Sequence, residues 1–485
     1  MKSVASLSAA AAFLSGSANA FWRMPCHDRT TLARLDPIVD KGTASSHSHA
    51  IHGGSNFAET TTYDMLRESE CTSCQFDDDK SAYWTPSLHF IHENGEVEVV
   101  PQVGGMLAYY LLLGDDIKAF PKGFQMLAGD SRLRNFTGPV PDPPTSAWTA
   151  DDKTQLALGQ KSLGFNCLNY NKAPEGSRYR HFLPDKDYMD ANCANGIRAE
   201  IFFPSCWNGK DVAAPDHKSH VAYPSMIDGG ECPKGYETRL PSLFYETIWN
   251  TYKFKGVAGQ FTWSNGDPTG YGYHADFING WNIDTLQSAV DQCTNPSGRV
   301  EDCPIFSSAL QSESEQGQCK IKELPKMLEH DDCEGLAEGL CGNVPVQYGP
   351  EYAAPLEGGD KEDEEPVKPT MSSKAPVPTQ SYAPARSEGA GGISVYNVEP
   401  SSTYSADAYA AAITPPADIA DAPKDDDDEF VTTSTYTKDG IVYEVAIKEV
   451  VITTTVGSSY GSSYGRRHAQ KHRRQQREHV PLARN

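Results

Sequence analysis

Apolar residues along the first 340 or so positions come in short runs broken by Gly, Pro, Asn and Asp, a pattern that predicts strands joined by many turns rather than long helices. The clearest local unit is Ser87–Glu93 followed by Asn94-Gly95 and then Glu96–Val100. Asn-Gly supplies the positive φ values that a two-residue hairpin turn requires, so these segments are expected to pair. Residues 196–204 and 256–264 read as further strands. One helix stands out, because Leu286, Ala289, Val290 and Cys293 fall on one helical face and Asp284 can cap its N-terminus. The expected fold is mainly β: a disulfide-bonded, β-sandwich-like domain with long loops and few helices, followed by a disordered C-terminal tail.

Composition sets the limits of that domain. All 12 Cys lie between Cys26 and Cys341, and all 7 Trp lie between Trp22 and Trp281. Residues 343–430 are instead rich in Pro, Ser, Thr and acid, including Asp425–Glu429, and read as a disordered linker that cannot bury enough apolar surface to offset chain entropy. Residues 431–456 carry two β-prone runs around Asp439-Gly440 and are expected to form a hairpin, whereas 457–485 form a basic low-complexity tail with Arg466-Arg467 and Lys471–Arg474. At the other end, Lys2, an apolar run to Leu14 and Ala18-Asn19-Ala20 make residues 1–20 a signal peptide, leaving 21–342 as the main domain.

Export gives the cysteines a meaning. Twelve thiols on the oxidising route predict up to six disulfides, and the lone Cys71-Thr-Ser-Cys74 is expected to be structural rather than redox-active. Asn135-Phe136-Thr137 becomes a glycosylation sequon for the same reason. No other stretch is long and apolar enough for a membrane span. With 42 basic against 65 acidic residues, net −23, neither nucleic acid nor an anionic membrane is an expected partner. The expected location is extracellular or in a cell wall, and the oligomeric state stays open.

Three histidine-bearing segments carry the candidate chemistry. In extended chain His47 and His49 point the same way, and His52 can join them only if the glycines after it bend the backbone. Those three imidazoles are a candidate site for a divalent metal such as zinc, a metal-free polar site with Asn56 beside it, or plain structural histidines. In the segment Asn265–Trp281, His274 and Asp276 share a face if extended, so the carboxylate could orient the imidazole for acid–base work. The alternative there is a capped loop in which Asp267 and Asp276 bind backbone N–H groups, and Trp281 could offer a flat face to a sugar. His217 and His220 are neighbours only on a helical turn. No nucleotide loop, nucleophile elbow, metalloprotease helix or EF-hand is present.

Taken together, Phe21–Cys26, Ala33–Val39, His47–Gly54, Phe203–Lys210, His217–Pro224 and Gly266–Trp281 make the chain resemble the fungal secreted family DUF1996, a domain of unknown function. The resemblance implies a secreted domain met beside carbohydrate-associated modules and implies no reaction. The expectation is therefore a protein that acts on or binds cell-wall or plant polysaccharide through a cleft rich in His and aromatic residues. If it is an enzyme, it is a polysaccharide lyase or hydrolase. His49 and His274 would then be acid or base, Asp276 the orienting group, and Arg198 the partner of a uronate carboxylate. The competing expectation is a non-catalytic structural or adhesive wall protein.

Overall fold

The computed structural model describes residues 20–331, 333–359 and 367–369, and three strands at Thr432–Lys438, Ile441–Val450 and Arg474–Arg477. The expected signal peptide 1–20, apart from Ala20, most of the expected linker with its acidic block, and the rest of the basic tail lie outside the described residues. The chain divides into two units, Met1–Ile413 and Thr414–Asn485.

The first unit is built on two five-stranded antiparallel sheets. One has the order Ala20–Cys26, Gln102–Leu112, Ser242–Trp249, Ile197–Phe202, Leu163–Cys167. The other has the order Thr31–Ala33, His49–Gly53, Ala82–Pro86, His274–Ile278, Gln125–Gly129. Trp22, Tyr110 and Tyr245 of the first sheet share one core with Tyr83, Ala275 and Phe277 of the second, so the sheets face each other as a sandwich. Aromatic side chains dominate that core because each buries a large apolar area, and their polar tips must then find partners inside it. The tyrosines do so across the layers, the hydroxyls of Tyr83 and Tyr110 lying 2.7 Å apart and Tyr245 donating to the Asp276 carbonyl at 3.1 Å, whereas the indole nitrogens of Trp22 and Trp263 are buried without a partner.

The mainly β, disulfide-bonded expectation matches this architecture. The six bridges are Cys26–Cys74, Cys71–Cys319, Cys167–Cys193, Cys206–Cys232, Cys293–Cys303 and Cys333–Cys341. The two cysteines of the Cys-x-x-Cys segment thus go to different partners. Strands Leu88–His92 and Val97–Val99 pair as expected, but the turn differs. Gly95 alone takes a positive φ, of 89°, and His92 N–H donates to Glu96 at 2.8 Å. The connection is thus a three-residue loop closed by a left-handed glycine, not a two-residue turn needing two such residues. The helix spans Ile283–Gln292, and its cap is Asn282, which accepts from Thr285 N–H; Asp284 falls in the first turn instead, where it still complements the helix dipole.

In the second unit, Thr432–Lys438 and Ile441–Val450 pair antiparallel with Lys438 opposite Ile441, and Arg474–Arg477 adds a third strand. No helix among the described residues is long and apolar enough to cross a membrane.

Candidate functional site

Alternation along the second sheet decides which candidate residues meet. Ala50, Tyr83, Met126, Ala128, Ala275 and Phe277 point between the sheets. Ala33, Ile51, Trp84 and Ile278 point to the outer face, where they form a second, smaller core. His49 is in phase with Ile51, and His274 and Asp276 with Ile278, so all three project outward. Pairing closes the remaining distance, since Asp276 sits opposite Trp84 and Trp84 opposite Ile51. His52 is out of phase and points inward, where Gln102 of the other sheet approaches its Nε2 at 3.3 Å. The expected grouping of His47, His49 and His52 is therefore corrected: the glycines after His52 do not turn its side chain back, and His274 takes the third place.

His47, His49 and His274 each offer a ring nitrogen within 4.8 Å of the others, as do the ligand atoms of Asp36, His49 and Asp276. The two groups share His49. Three of these five residues lie on strands, and His47 stands two residues before the strand that His49 begins. Asp36 comes from the loop after the edge strand, where its Oδ1 accepts the N–H groups of Ile38 and Val39, both at 3.0 Å.

Hydrogen bonding fixes the proton positions in the imidazole pair. His274 Nδ1 lies 2.9 Å from the Gly272 carbonyl, which can only accept, so Nδ1 carries the hydrogen. Burial pushes the His274 pKa down to about 4, and that of His47 well below its usual value, with the neighbouring His49 adding to the effect. Both rings are neutral at pH 7. His274 Nε2 is then an acceptor, His47 Nε2 at 3.1 Å must be the donor, and His47 Nδ1 accepts from the Ser46 hydroxyl at 3.0 Å. The result is a directed chain from Ser46 through His47 and His274 to the Gly272 carbonyl. That carbonyl is itself placed by Asp267, which accepts Gly272 N–H at 2.7 Å and Thr269 N–H at 2.8 Å, and by Asn265 Nδ2, which donates to the Gly272 oxygen at 2.9 Å.

The capped-loop reading therefore holds for Asp267. It fails for Asp276, whose two oxygens are fully buried without a hydrogen-bond partner. Nor does Asp276 orient His274, whose Nδ1 is already committed to Gly272; the carboxylate faces His49 and Asp36 instead. His49 likewise has both ring nitrogens buried without a hydrogen bond of good geometry, the Leu35 backbone lying close by. Burial and the nearby Asp36 push the Asp276 carboxyl well above the usual range, burial pushes Asp36 up to about 7, and burial pushes His49 well down.

Ser46, His47, Asp36 and His274 line a cavity of about 280 Å³ whose other walls include Asp130, Asp216, His217, Lys218 and Arg132. The far side is formed by Gln347 and by Ala353–Leu356. Arg134 ties that side down, donating to the carbonyls of Gln347, Ser131, Leu133 and Asn265. Among the described residues no Trp, Tyr or Phe lines the cavity, which differs from the aromatic cleft expected from sequence. Trp281 is fully buried, its indole N–H donating to Tyr110 at 2.9 Å. Arg198 is spent on the carboxylates of Glu200 and Glu246. Asn56 donates to Met65, and His220 bonds the Gln125 carbonyl, so of the 217–220 pair only His217 reaches the cavity. A second hollow, of about 530 Å³, is bordered by charges that pair with one another, Lys320 with Asp28 and Arg29 with Glu334.

Sequence reasoning missed Asp36 and Ser46. Asp36 carries a signal in the Asp-Pro turn it opens, but nothing in the chain places that turn over a strand 240 residues away. Ser46 was passed over as the flank of a histidine cluster.

The family model for DUF1996, described as a domain of unknown function, matches residues 36–281, just over half of the 485 residues. Neither a curated protein nor a solved structure matches the chain.

Proposed function

We propose a function from the site itself, because this chain belongs to the DUF1996 family, whose description states no activity. The domain is an exported, glycan-active enzyme, a hydrolase or lyase, whose reaction takes place at the cavity floor. The observation that carries this reading is the directed Ser46–His47–His274 chain opening onto a polar cavity. A substrate hydroxyl or water at the Ser46 end can pass a proton along this chain to His274 Nε2, a transfer that burial of the imidazoles makes uphill at neutral pH. Charged and amide groups around the cavity suit a hydroxyl-rich ligand, held by hydrogen bonds rather than by ring stacking. Six disulfides support an extracellular setting, and exposed Asn135 is then a glycosylation site.

The test is turnover on a panel of glucans, mannans, chitin and uronate polymers, read by reducing ends and by unsaturated products. His47→Gln and His274→Gln should each lower turnover by at least about 100-fold, the usual worth of a positioned acid or base. Turnover intact in both variants would remove the relay from the mechanism. Retention on insoluble glycan with no released product would favour a binding protein of the wall.

A further inference from the structure

We infer that Asp36, His49 and Asp276 form a divalent-cation site behind the His47–His274 pair. The starting point is what the buried polar atoms lack. Every ring nitrogen of His47 and His274 has a partner in the chain from Ser46 to Gly272. Neither oxygen of Asp276 has one, neither nitrogen of His49 makes a hydrogen bond of good geometry although the Leu35 backbone lies close by, and both residues are 0% exposed. Native interiors rarely leave such groups unpaired, since each costs on the order of 1–3 kcal/mol and more when charged. A hydrogen bond between the two would have satisfied them. They stand apart instead, with Asp36, at separations up to 4.8 Å. Two donors bound to one ion at about 2.1 Å lie roughly 3.0 to 4.2 Å apart, depending on the angle between them. The widest separation allowed here would have to close by about 0.6 Å for a linear pair and by about 1.4 Å for a tetrahedral one.

Charge separates this set from the three imidazoles that also cluster. Two carboxylates and a neutral imidazole balance a dication, so the buried assembly carries no net charge. Three neutral imidazoles would leave both charges of the ion to be offset from outside the set, and would break the hydrogen bond between His47 and His274. One nitrogen and two oxygen donors suit zinc or manganese among common divalent ions. Asp36 lines the cavity, so the ion would border the space open to a substrate.

The test uses the full chain, purified without an affinity tag, stripped with chelator and titrated calorimetrically with Zn²⁺ and with Mn²⁺. Elemental analysis of unstripped protein runs beside it. About one equivalent of one ion should bind, and His49→Gln and Asp276→Asn should weaken binding at least about 100-fold, as expected for lost ligands. Should Asp276→Asn not fold, Asp36→Asn replaces it. His274→Gln should change affinity by less than about threefold, because it removes no ligand of this set. Absence of saturable binding by the folded wild type overturns the inference, as does unchanged affinity in His49→Gln and the carboxylate variant. Loss of binding in His274→Gln with retention in the carboxylate variants would also overturn it, moving the ion to the three imidazoles. Binding is read without any glycan, so its failure and the failure of the glycan reading are separate results.

Discussion

His89 gives the sharpest quantitative prediction. It lies on the strand Leu88–His92, is 3% exposed, and its Nε2 meets the Ser87 hydroxyl at 2.9 Å. Burial, with the nearby Arg29 adding to it, pushes its pKa down from 6.5 to about 4. In the unfolded chain the imidazole takes a proton as pH falls through about 6.5, while in the folded chain it resists until about 4. The unfolded state thus binds more protons throughout that window. Stability held above pH 6.5 is lost as pH falls towards 4, by about 3 kcal/mol for a shift of 2.5 units. That is a large fraction of the 5–15 kcal/mol typical of a domain. Urea unfolding of the wild type and of His89→Gln at pH 7.5, 5.5 and 4.0 isolates the effect. The variant should be destabilised at pH 7.5, and the gap should close or invert by about 3 kcal/mol at pH 4.0. His52, held down to about 3, and Asp79, held up to about 6, are common to both proteins and cancel in the difference. A gap constant to within about 0.5 kcal/mol across the series would refute the reasoning.

Other outcomes follow from the framework around the site. Cys71→Ser with Cys319→Ser removes a link between residues 248 apart; chain entropy alone makes that worth about 5 kcal/mol, against a usual 2–4, so a clear drop in Tm is expected by calorimetry. Gly129 has φ 80° and faces His274 across the sheet, and a Cβ there would sit 2.5 Å from the Tyr273 carbonyl. Gly129→Ala should cost about 2 kcal/mol or more in urea unfolding, and should reduce any turnover measured for the wild type. Arg134→Lys cannot reach the four carbonyls its fork now binds, so limited proteolysis should cut first near Gln347, and an unchanged cleavage pattern would count against that role.

Much of the scaffold could be read from local pattern, because strand periodicity and an even number of cysteines are properties of short segments and of composition. The shared face of His274 and Asp276 follows from alternation alone, and so does the separation of His89, buried, from His92, which meets Glu98 at 3.4 Å. What could not be read is partner choice across the sheet. Pairing of Ala82–Pro86 with both His49–Gly53 and His274–Ile278 brings residues 227 positions apart into contact, and no local rule sets that order. Arg198 and Trp281 misled for a related reason. A charged or aromatic residue in a chemically suggestive segment looks available until its neighbours on the next strand are known, and here those neighbours consume both.

Gln347 and Ala353–Leu356, which close the cavity, lie beyond residue 281, where the family match ends. The chamber thus has a floor belonging to the shared domain and a doorway supplied by later sequence. A fragment trimmed to the shared part would present a trough where the full chain has a chamber. Ligand preferences measured on such a fragment would describe the floor alone, and two chains with the same floor could admit different molecules by differing only in what is threaded across it.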